Sequence, residues 1–253
     1  MNRIFFSSLA AAVLATALAG CGSESPVSLT PAPSPAQASA PGQRLTEAGR
    51  RIDWAALKPG DPVPATSFVP PPLPPDLRAP AAVQERRIAG RDRVVIQGIP
   101  GFDGATCNPN RRHDAALPIV TSRRVDGRLQ VPALAEVGWD ASTARPGSGR
   151  GVTLLTGHLT AGPVGSYQGP LWGAECLPTG SEIKVVWKGR TFTYRTTGVV
   201  SKYERGRPPA TIVDPAGPSR IALITCTGPP RVNRERGGLW WSRNAAVWAE
   251  LVR

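Results

Sequence analysis

The sequence predicts an all-β domain, either a single antiparallel barrel or a sandwich, because short β-like runs dominate its second half and long amphipathic helical patterns are scarce. The clearest pair of runs lies at 183–187 and 191–195, separated by Lys-Gly-Arg, which predicts a hairpin with a glycine-bearing turn. Turn residues separate the other runs, which lie at 94–99, 117–120, 128–131, 151–157, 220–225 and 245–252.

The N-terminal 21 residues are typical of a lipoprotein signal peptide. Arg3 precedes an apolar stretch that is too short for a typical membrane span, and Leu-Ala-Gly-Cys follows at 18–21. This ending resembles a lipobox, so we expect Cys21 to be lipidated and to become the first residue of the mature protein. The protein is then exported, anchored to a membrane by lipid, and faces the cell envelope or periplasm. The alternatives are an ordinary signal peptide with a chance cysteine, or an anchor helix.

Residues 22–86 are expected to form an extended tether. They are rich in Pro, Ala and Ser, and proline runs such as 70–75 cannot form a packed core or a sheet interior. Such a composition favours polyproline-type extension. The catalytic or binding domain is therefore predicted at 87–253.

The chain is strongly basic, with a formal net charge of +12 and a sequence pI near 10.7. Nucleic acid is the usual partner considered for such a charge. The charges are scattered, however, with no long Lys/Arg tract, and arginine is used far more than lysine. This pattern favours a solvated basic surface, and we predict no nucleic-acid partner.

The four cysteines fall into three groups. With Cys21 assigned to the lipid and Cys226 a candidate nucleophile, Cys107 and Cys176 remain in loop-like stretches. Two leftover thiols usually pair in an oxidising compartment, which predicts a possible disulfide between them. A bridge from Cys226 to either of them stays open at this point. The sequence shows no CxxC or HxxxH spacing, so a metal site is not expected.

Three side chains of catalytic type stand at the ends or flanks of predicted strands. Cys226 follows the run 220–225, His158 follows 151–157, and Arg243 precedes 245–252. A thiol, an imidazole and a guanidinium are the groups of a nucleophile, its proton partner and an oxyanion stabiliser. The alternative is a structural role for each, since a lone cysteine or histidine after an apolar strand is often part of the core. The other histidine, His113, lies in a polar stretch and is expected at the surface.

The motifs around these residues resemble those of sortases, the cysteine transpeptidases of bacterial surfaces. Leu-Thr-Gly-His at 155–158, Leu-Ile-Thr-Cys at 223–226 and the segment 242–249 match the family's His, Cys and Arg motifs in order. The segments before the histidine, at 127–132, 137–139 and 144–147, are similar to those of class F sortases. The resemblance covers about residues 92–253 and implies a single closed antiparallel β-barrel of sortase type with few short helices.

The chain also departs from the class F pattern. Leu159-Thr160 stands where class F members often have an Asp two residues past the histidine. The stretches 101–114 and 231–241 are interpreted as an inserted loop and a long basic loop. These departures leave the preferred peptide open.

The function implied by the resemblance is that of a cell-surface cysteine transpeptidase. Cys226 would attack a Thr-Gly-like bond in a sorting-signal peptide, His158 would protonate the leaving amine, and Arg243 would stabilise the oxyanion. The partners are the sorting-signal peptide of exported proteins, an amine acceptor and the membrane; no metal or organic cofactor is implied. The alternatives are a hydrolytic cysteine peptidase and a catalytically silent, lipid-tethered module that binds a peptide or polymer.

Overall fold

The computed structural model describes residue 58 and residues 79–102, 106–125, 128–161, 167–233 and 238–252. The expected signal peptide, the lipidation of Cys21 and nearly all of the expected tether lie outside the described residues. Within these ranges, no helix combines the length and the apolar character that crossing a membrane requires.

The described residues form a closed barrel of eight strands, with two small two-stranded ladders beside it. The barrel order is β1-β2-β5-β6-β11-β12-β10-β9, and β9 closes it by pairing with β1. The elements are α1 (Ala81–Arg87), β1 (Arg93–Phe102), β2 (Cys107–Ser122), β3 (Arg124–Val125), β4 (Arg128–Leu129), β5 (Val137–Asp140), β6 (Val152–Thr156), β7 (Thr160–Ala161), β8 (Tyr167–Gln168), a 3₁₀ turn (Ala174–Cys176), β9 (Glu182–Trp187), β10 (Arg190–Glu204), a second 3₁₀ turn (Ala210–Val213), β11 (Arg220–Asn233) and β12 (Gly238–Leu251).

The predicted all-β fold with a closed barrel is confirmed, with one addition. Two pairs of barrel strands are parallel, β2 with β5 and β6 with β11, whereas the other pairs are antiparallel. Parallel neighbours must be joined by a crossover connection, which local sequence patterns do not reveal. Because parallel strands run in the same direction, the residues that follow β6 lie beside the middle of the longer β11.

The hairpin predicted from the glycine-bearing turn is present. β9 and β10 pair from Trp187 with Arg190, so Lys188 and Gly189 form a two-residue turn. Both turn residues have positive φ, 49° and 75°, as the favoured type I′ hairpin turn requires. Glycine adopts this conformation without steric cost, which explains why the chain reverses here.

The barrel interior holds one large apolar cluster. Alternate residues of the strands point inward, so that Leu223 and Ile221 of β11 meet Leu155 of β6 and Val247 of β12 in the interior. The opposite faces of the same strands carry a second cluster, in which Ile212 of the second 3₁₀ turn is fully buried. β6, β11 and β12 are therefore buried on both faces over much of their length, which makes them a rigid support for residues at their ends.

The folded part begins earlier than the predicted boundary at residue 87. Helix α1 packs on β2, with Ala81 and Gln84 buried. Gln84 donates to the carbonyl of Asp114 at 3.0 Å and accepts from the backbone N–H of Ala116 at 3.0 Å. Because the apolar content of this helix is small, its docking depends on these polar contacts, which composition did not indicate.

Both stretches interpreted as loops are instead largely paired β-strand. The inserted loop at 101–114 belongs to the hairpin of β1 and β2, with Phe102 opposite Cys107. The basic loop at 231–241 belongs to the hairpin of β11 and β12, where Arg231 lies opposite Trp240. In the first of these hairpins residues 109–112 are exposed, so polar residues are tolerated there and the apolar alternation that reveals a strand is absent.

Candidate active site

Two of the predicted catalytic residues lie on the neighbouring strands β11 and β12, and His158 follows β6, the other neighbour of β11. β6 and β11 are parallel, with Thr156 aligned with Ile224, and the N–H of Gly157 continues the pairing by donating to the carbonyl of Ile224 at 3.0 Å. His158 and Cys226 are each two residues beyond this aligned pair. The last paired residues of the two strands thus stand the same number of residues before the imidazole and before the thiol.

Cys226 carries a free thiol, whereas the other two cysteines among the described residues form a disulfide. Its side chain is half-buried and packs against a cluster formed by Phe102, Leu159, Trp172 and Trp241. Burial raises the pKa of the Cys226 thiol, and the positive charge of Arg205 acts in the opposite direction. The resting site therefore favours the thiol over the thiolate at neutral pH, so a base must take up its proton for attack.

His158 is half-buried and held at two points. Its Nε2 lies 2.7 Å from the carbonyl oxygen of Pro132, and because a carbonyl can only accept, Nε2 carries the proton of that bond. The carbonyl of His158 in turn accepts from the N–H of Leu171 at 3.2 Å. Nδ1 is consequently the nitrogen that remains to exchange a proton.

Arg243 is exposed on β12, one position out of register from the cysteine. Its cross-strand neighbours are Thr227 of β11 and Glu204 of β10, whereas Cys226 lies opposite Asn244. Successive side chains of a strand point to opposite faces, so Arg243 and Asn244 project from opposite faces of β12. The three predicted residues lie on neighbouring segments of the chain, but Arg243 projects from the face opposite to the one that carries Cys226 and Asn244. The cation that acts on the thiol is Arg205.

Three residues beside the thiol were not found from the sequence. Tyr203 and Cys226 both lie opposite Asn244, which places a phenol, an amide and a thiol in one row across β10, β12 and β11. Burial raises the pKa of Tyr203 to about 12, the charge of Cys226 adds to this rise, and the hydrogen bond with Asn244 opposes it. Arg205 follows this row just beyond the end of β10. One sequence signal bears on these residues: the strand predicted at 191–195 can be extended through residue 203.

The predicted disulfide between Cys107 and Cys176 is confirmed, with the two Cα atoms 5.6 Å apart and a sequence separation of 69. The competing bridge to Cys226 is thereby excluded. Cys176 packs against the same aromatic cluster as Cys226, so the disulfide lies close behind the candidate nucleophile.

His113 is not the surface histidine that was expected. It is half-buried, with Nε2 3.2 Å from the carbonyl of Pro170, and burial lowers its pKa below the ordinary value of 6.5. The arginines before His113 are exposed on β2, whereas Asp114 after it is half-buried and accepts from the backbone N–H groups of Ala81 and Gly98. The polarity of the stretch therefore predicted the exposure of the arginines correctly but not that of His113.

A comparison with protein families decides the identity of the fold. The family profile of the sortase domain matches residues 111–252, which span β2 to β12 and include His158, Cys226 and Arg243. The chain belongs to the sortase family. Membership of class F stays a prediction.

Solved sortase structures are similar to this chain at low identity. A lid mutant of sortase A from Corynebacterium diphtheriae is 19% identical with a TM-score of 0.43, covering 68% of this chain and 77% of that one. Sortase C-1 from Actinomyces oris is 21% identical with a TM-score of 0.44, covering 79% and 92%. Sortase C1 from Streptococcus agalactiae is 15% identical with a TM-score of 0.40, covering 64% and 67%. No curated protein sequence matches the chain significantly.

Sortases are transpeptidases of the cell envelope that act on sorting-signal substrates and amine acceptors. In this sortase, the described residues contain no group of three or more His, Cys, Asp or Glu side chains that could hold a metal ion. The site described above offers a thiol, an imidazole and cationic groups, which suit acyl transfer through a thioester.

Proposed function

We propose that this sortase is a cell-surface cysteine transpeptidase that cleaves a sorting-signal peptide at a Thr-Gly-like bond through a Cys226 thioester. The observation that carries the proposal is the parallel pairing of β6 with β11, whose register ends at Thr156 and Ile224, two residues before His158 and before the free, half-buried thiol of Cys226. A thiol nucleophile and a nearby imidazole are the two groups that this chemistry needs.

In the first half-reaction, the sulfur of Cys226 attacks the carbonyl carbon of the Thr-Gly-like bond. The S–C bond forms, the peptide C–N bond breaks, and His158 gives a proton to the nitrogen of the leaving amine. The imidazole first takes this proton from the thiol of Cys226, so His158 is neutral again once the amine has left. Since burial raises the pKa of Cys226, we expect this transfer to occur as substrate binds rather than in the free enzyme.

In the second half-reaction, an amine attacks the thioester carbonyl and displaces the sulfur. The imidazole accepts a proton from the amine and passes a proton to the displaced sulfur, which restores the thiol, and the new amide leaves with the acyl part of the sorting peptide. We assign the stabilisation of each oxyanion to Arg243 because its segment matches the Arg motif of the family, and this role requires the exposed side chain to reach the sulfur from the opposite face of β12. Removing such a donor typically lowers the rate roughly 10²- to 10³-fold. The charge of Arg205 assists the thiolate form of Cys226.

The proposed setting is a lipid-anchored enzyme. Lipidation at Cys21 ties the chain to a membrane, residues 22–78 act as a Pro-rich spacer, and the barrel meets exported proteins that carry sorting signals. This part of the proposal rests on the lipobox-like run at 18–21 and on the composition of the spacer.

The test is product analysis with the full chain and labelled peptides of the Leu-Pro-x-Thr-Gly and Leu-Ala-x-Thr-Gly types, with and without triglycine as the amine. Mass spectrometry is expected to find the peptide cleaved after threonine and joined to triglycine. Cys226→Ala and His158→Ala should form neither product. Arg220→Ala, which removes an exposed arginine at the far end of β11, serves as the matched control for Arg243→Ala. Cleavage to the free acid alone, even with excess triglycine, would contradict amine transfer and favour a peptidase.

A further inference from the structure

A short segment at 169–177, called here the plug segment, is fixed firmly against the barrel. Ala174 is fully buried in the interior cluster, and the indole N–H of Trp172 donates to the carbonyl of Phe102 at 2.7 Å. Gly173 has a φ of 80°, and a Cβ at this position would lie 1.9 Å from the carbonyl oxygen of Pro100. The close contact between Gly173 and β1 therefore leaves no room for a side chain at position 173, and it fixes the position of the plug segment on β1.

The plug segment contacts the chain at His158 and at the residue that follows Cys226. The N–H of Leu171 donates to the carbonyl of His158 at 3.2 Å. At the other end of the segment, the hydroxyl of Thr227 donates to Glu175, with Oγ1 2.9 Å from Oε2 and 3.1 Å from Oε1. Thr227 directly follows Cys226 in β11. One rigid segment thus fixes the backbone of the imidazole and the backbone next to the thiol.

Glu175 is unusually placed for a charged side chain. Only 5% of it is exposed, and its second partner is Lys202, whose Nζ lies 2.8 Å from Oε2 and whose side chain is 53% exposed. Its hydrogen-bond donor Thr227 is only 1% exposed. Only the carboxylate of this ion pair is buried, so the pair contributes little net stability compared with apolar packing. The hydrogen bond from Thr227 and the ion pair to Lys202 do fix the relative position of the segments that carry them.

The disulfide fixes the backbone next to Glu175. Cys176, the neighbour of Glu175, is bonded to Cys107 at the start of β2. The N–H of Cys176 also donates to the carbonyl of Gly173 at 2.8 Å, which closes the 3₁₀ turn. Glu175 is therefore held between a disulfide on one side and the closely packed Gly173 on the other.

We infer that Glu175 is a positioning residue for Cys226: it holds Thr227 so that the thiol stays aligned with His158, and the Cys107–Cys176 disulfide holds Glu175 in place. The catalytic consequence rests on the function proposed above. The geometric consequence, a thiol whose exposure depends on Glu175, does not.

The first test compares Glu175→Ala with Glu175→Gln in the full chain, using the peptide and triglycine assay. Since a small misplacement of reacting groups costs up to about 10²-fold in rate, Glu175→Ala is expected to lower kcat roughly 10- to 100-fold with KM within about twofold. Glu175→Gln keeps an oxygen that accepts from Thr227, so it should stay within about threefold of the wild type. Glu182→Ala removes a glutamate that pairs with Lys184 in the open and is the matched control.

A second pair of variants guards against loss of folding. Thr227→Val removes the hydroxyl while keeping the shape of the side chain, and Thr227→Ser keeps the hydroxyl. We expect the Val variant to repeat the kcat loss of Glu175→Ala, the Ser variant to retain activity, and the Glu175→Ala/Thr227→Val double variant to lose no more than either alone. Near-UV circular dichroism, which reports on the tryptophans of the adjacent cluster, identifies any variant that has unfolded. Additive losses, or equal loss with Gln and Ala, would overturn the inference.

A third measurement separates this inference from the proposed function, because it needs no substrate. The rate of Cys226 alkylation by iodoacetamide at fixed pH should rise at least about threefold in Glu175→Ala, since the half-buried thiol becomes more accessible. Glu175→Gln and Glu182→Ala should match the wild type. The Cys107→Ser/Cys176→Ser variant should behave like Glu175→Ala. Unchanged alkylation in Glu175→Ala would refute the positioning role, and unchanged alkylation in the double serine variant would refute the part given to the disulfide. A wild type that alkylates as expected but turns over no peptide would contradict only the proposed function.

Discussion

Replacing both Cys107 and Cys176 with serine is expected to lower the free energy of unfolding by about 4 kcal/mol. The bridge closes a loop with a sequence separation of 69. The chain-entropy relation for a loop of that length gives about 4.4 kcal/mol at 25 °C, because the open unfolded chain gains that much conformational freedom. For a domain of this size, each kcal/mol corresponds to roughly 2–4 °C in Tm, so the midpoint should fall by about 9–18 °C.

The assay is urea denaturation followed by tryptophan fluorescence, with the oxidised wild type as the reference. Cys226→Ser is the matched control, since it changes a cysteine without opening the loop and should cost less than about 1 kcal/mol. Reduction of the wild type should reproduce the loss seen in the double serine variant. A loss below about 1 kcal/mol in the double variant would refute the reasoning, because the loop would then be closed by other contacts in both states.

Three further predictions concern single side chains. Thr225 has a buried hydroxyl without a hydrogen-bond partner among the described residues, so Thr225→Val should raise the unfolding free energy by about 1 kcal/mol in urea titrations; a destabilised variant would show that the hydroxyl is satisfied. Burial holds the pKa of His113 below 6.5, so the unfolded chain binds the proton more readily and stability should fall as pH drops below 6.5; His113→Gln should flatten this dependence, and an unchanged pH profile would contradict it. Arg205→Ala should move the pH midpoint of Cys226 alkylation upward and slow the reaction several-fold at pH 7, because a charge that favours the thiolate is lost; a downward shift would contradict the assignment.

The local features of the fold were predictable from the sequence because local chemistry determines them. Gly189 predicted the β9–β10 hairpin, and the apolar runs around residues 155 and 223 predicted the strand that His158 follows and the strand that carries Cys226. The parallel pairing of those strands joins segments almost 70 residues apart, and no local signal encodes it. The sortase motifs implied the closed barrel, but the barrel they implied was antiparallel, so the parallel pairing of these strands came from the structure alone.

The support behind the site was not predictable for a related reason. Thr227 and Glu175 are 52 residues apart in sequence and meet only because the plug segment returns to the barrel. Glutamate is ordinarily a surface residue. Glu175 is buried because the close packing of Gly173 and the disulfide of Cys176 hold the segment between them against the barrel. The sequence did not distinguish Arg205 from the many other arginines, and only the register of β10 places it near the thiol. Side chains whose role depends on a neighbour's register need the structure to identify them.

The measurement that tests the central claim most directly is the intact mass of the full chain after brief incubation with a sorting-type peptide and no amine. The account predicts an added mass equal to the acyl part of the peptide, located on Cys226 by peptide mapping and removed by triglycine, with no such adduct on Cys226→Ala. Cleavage of the peptide by Cys226→Ala, or an adduct on any other residue, would contradict it.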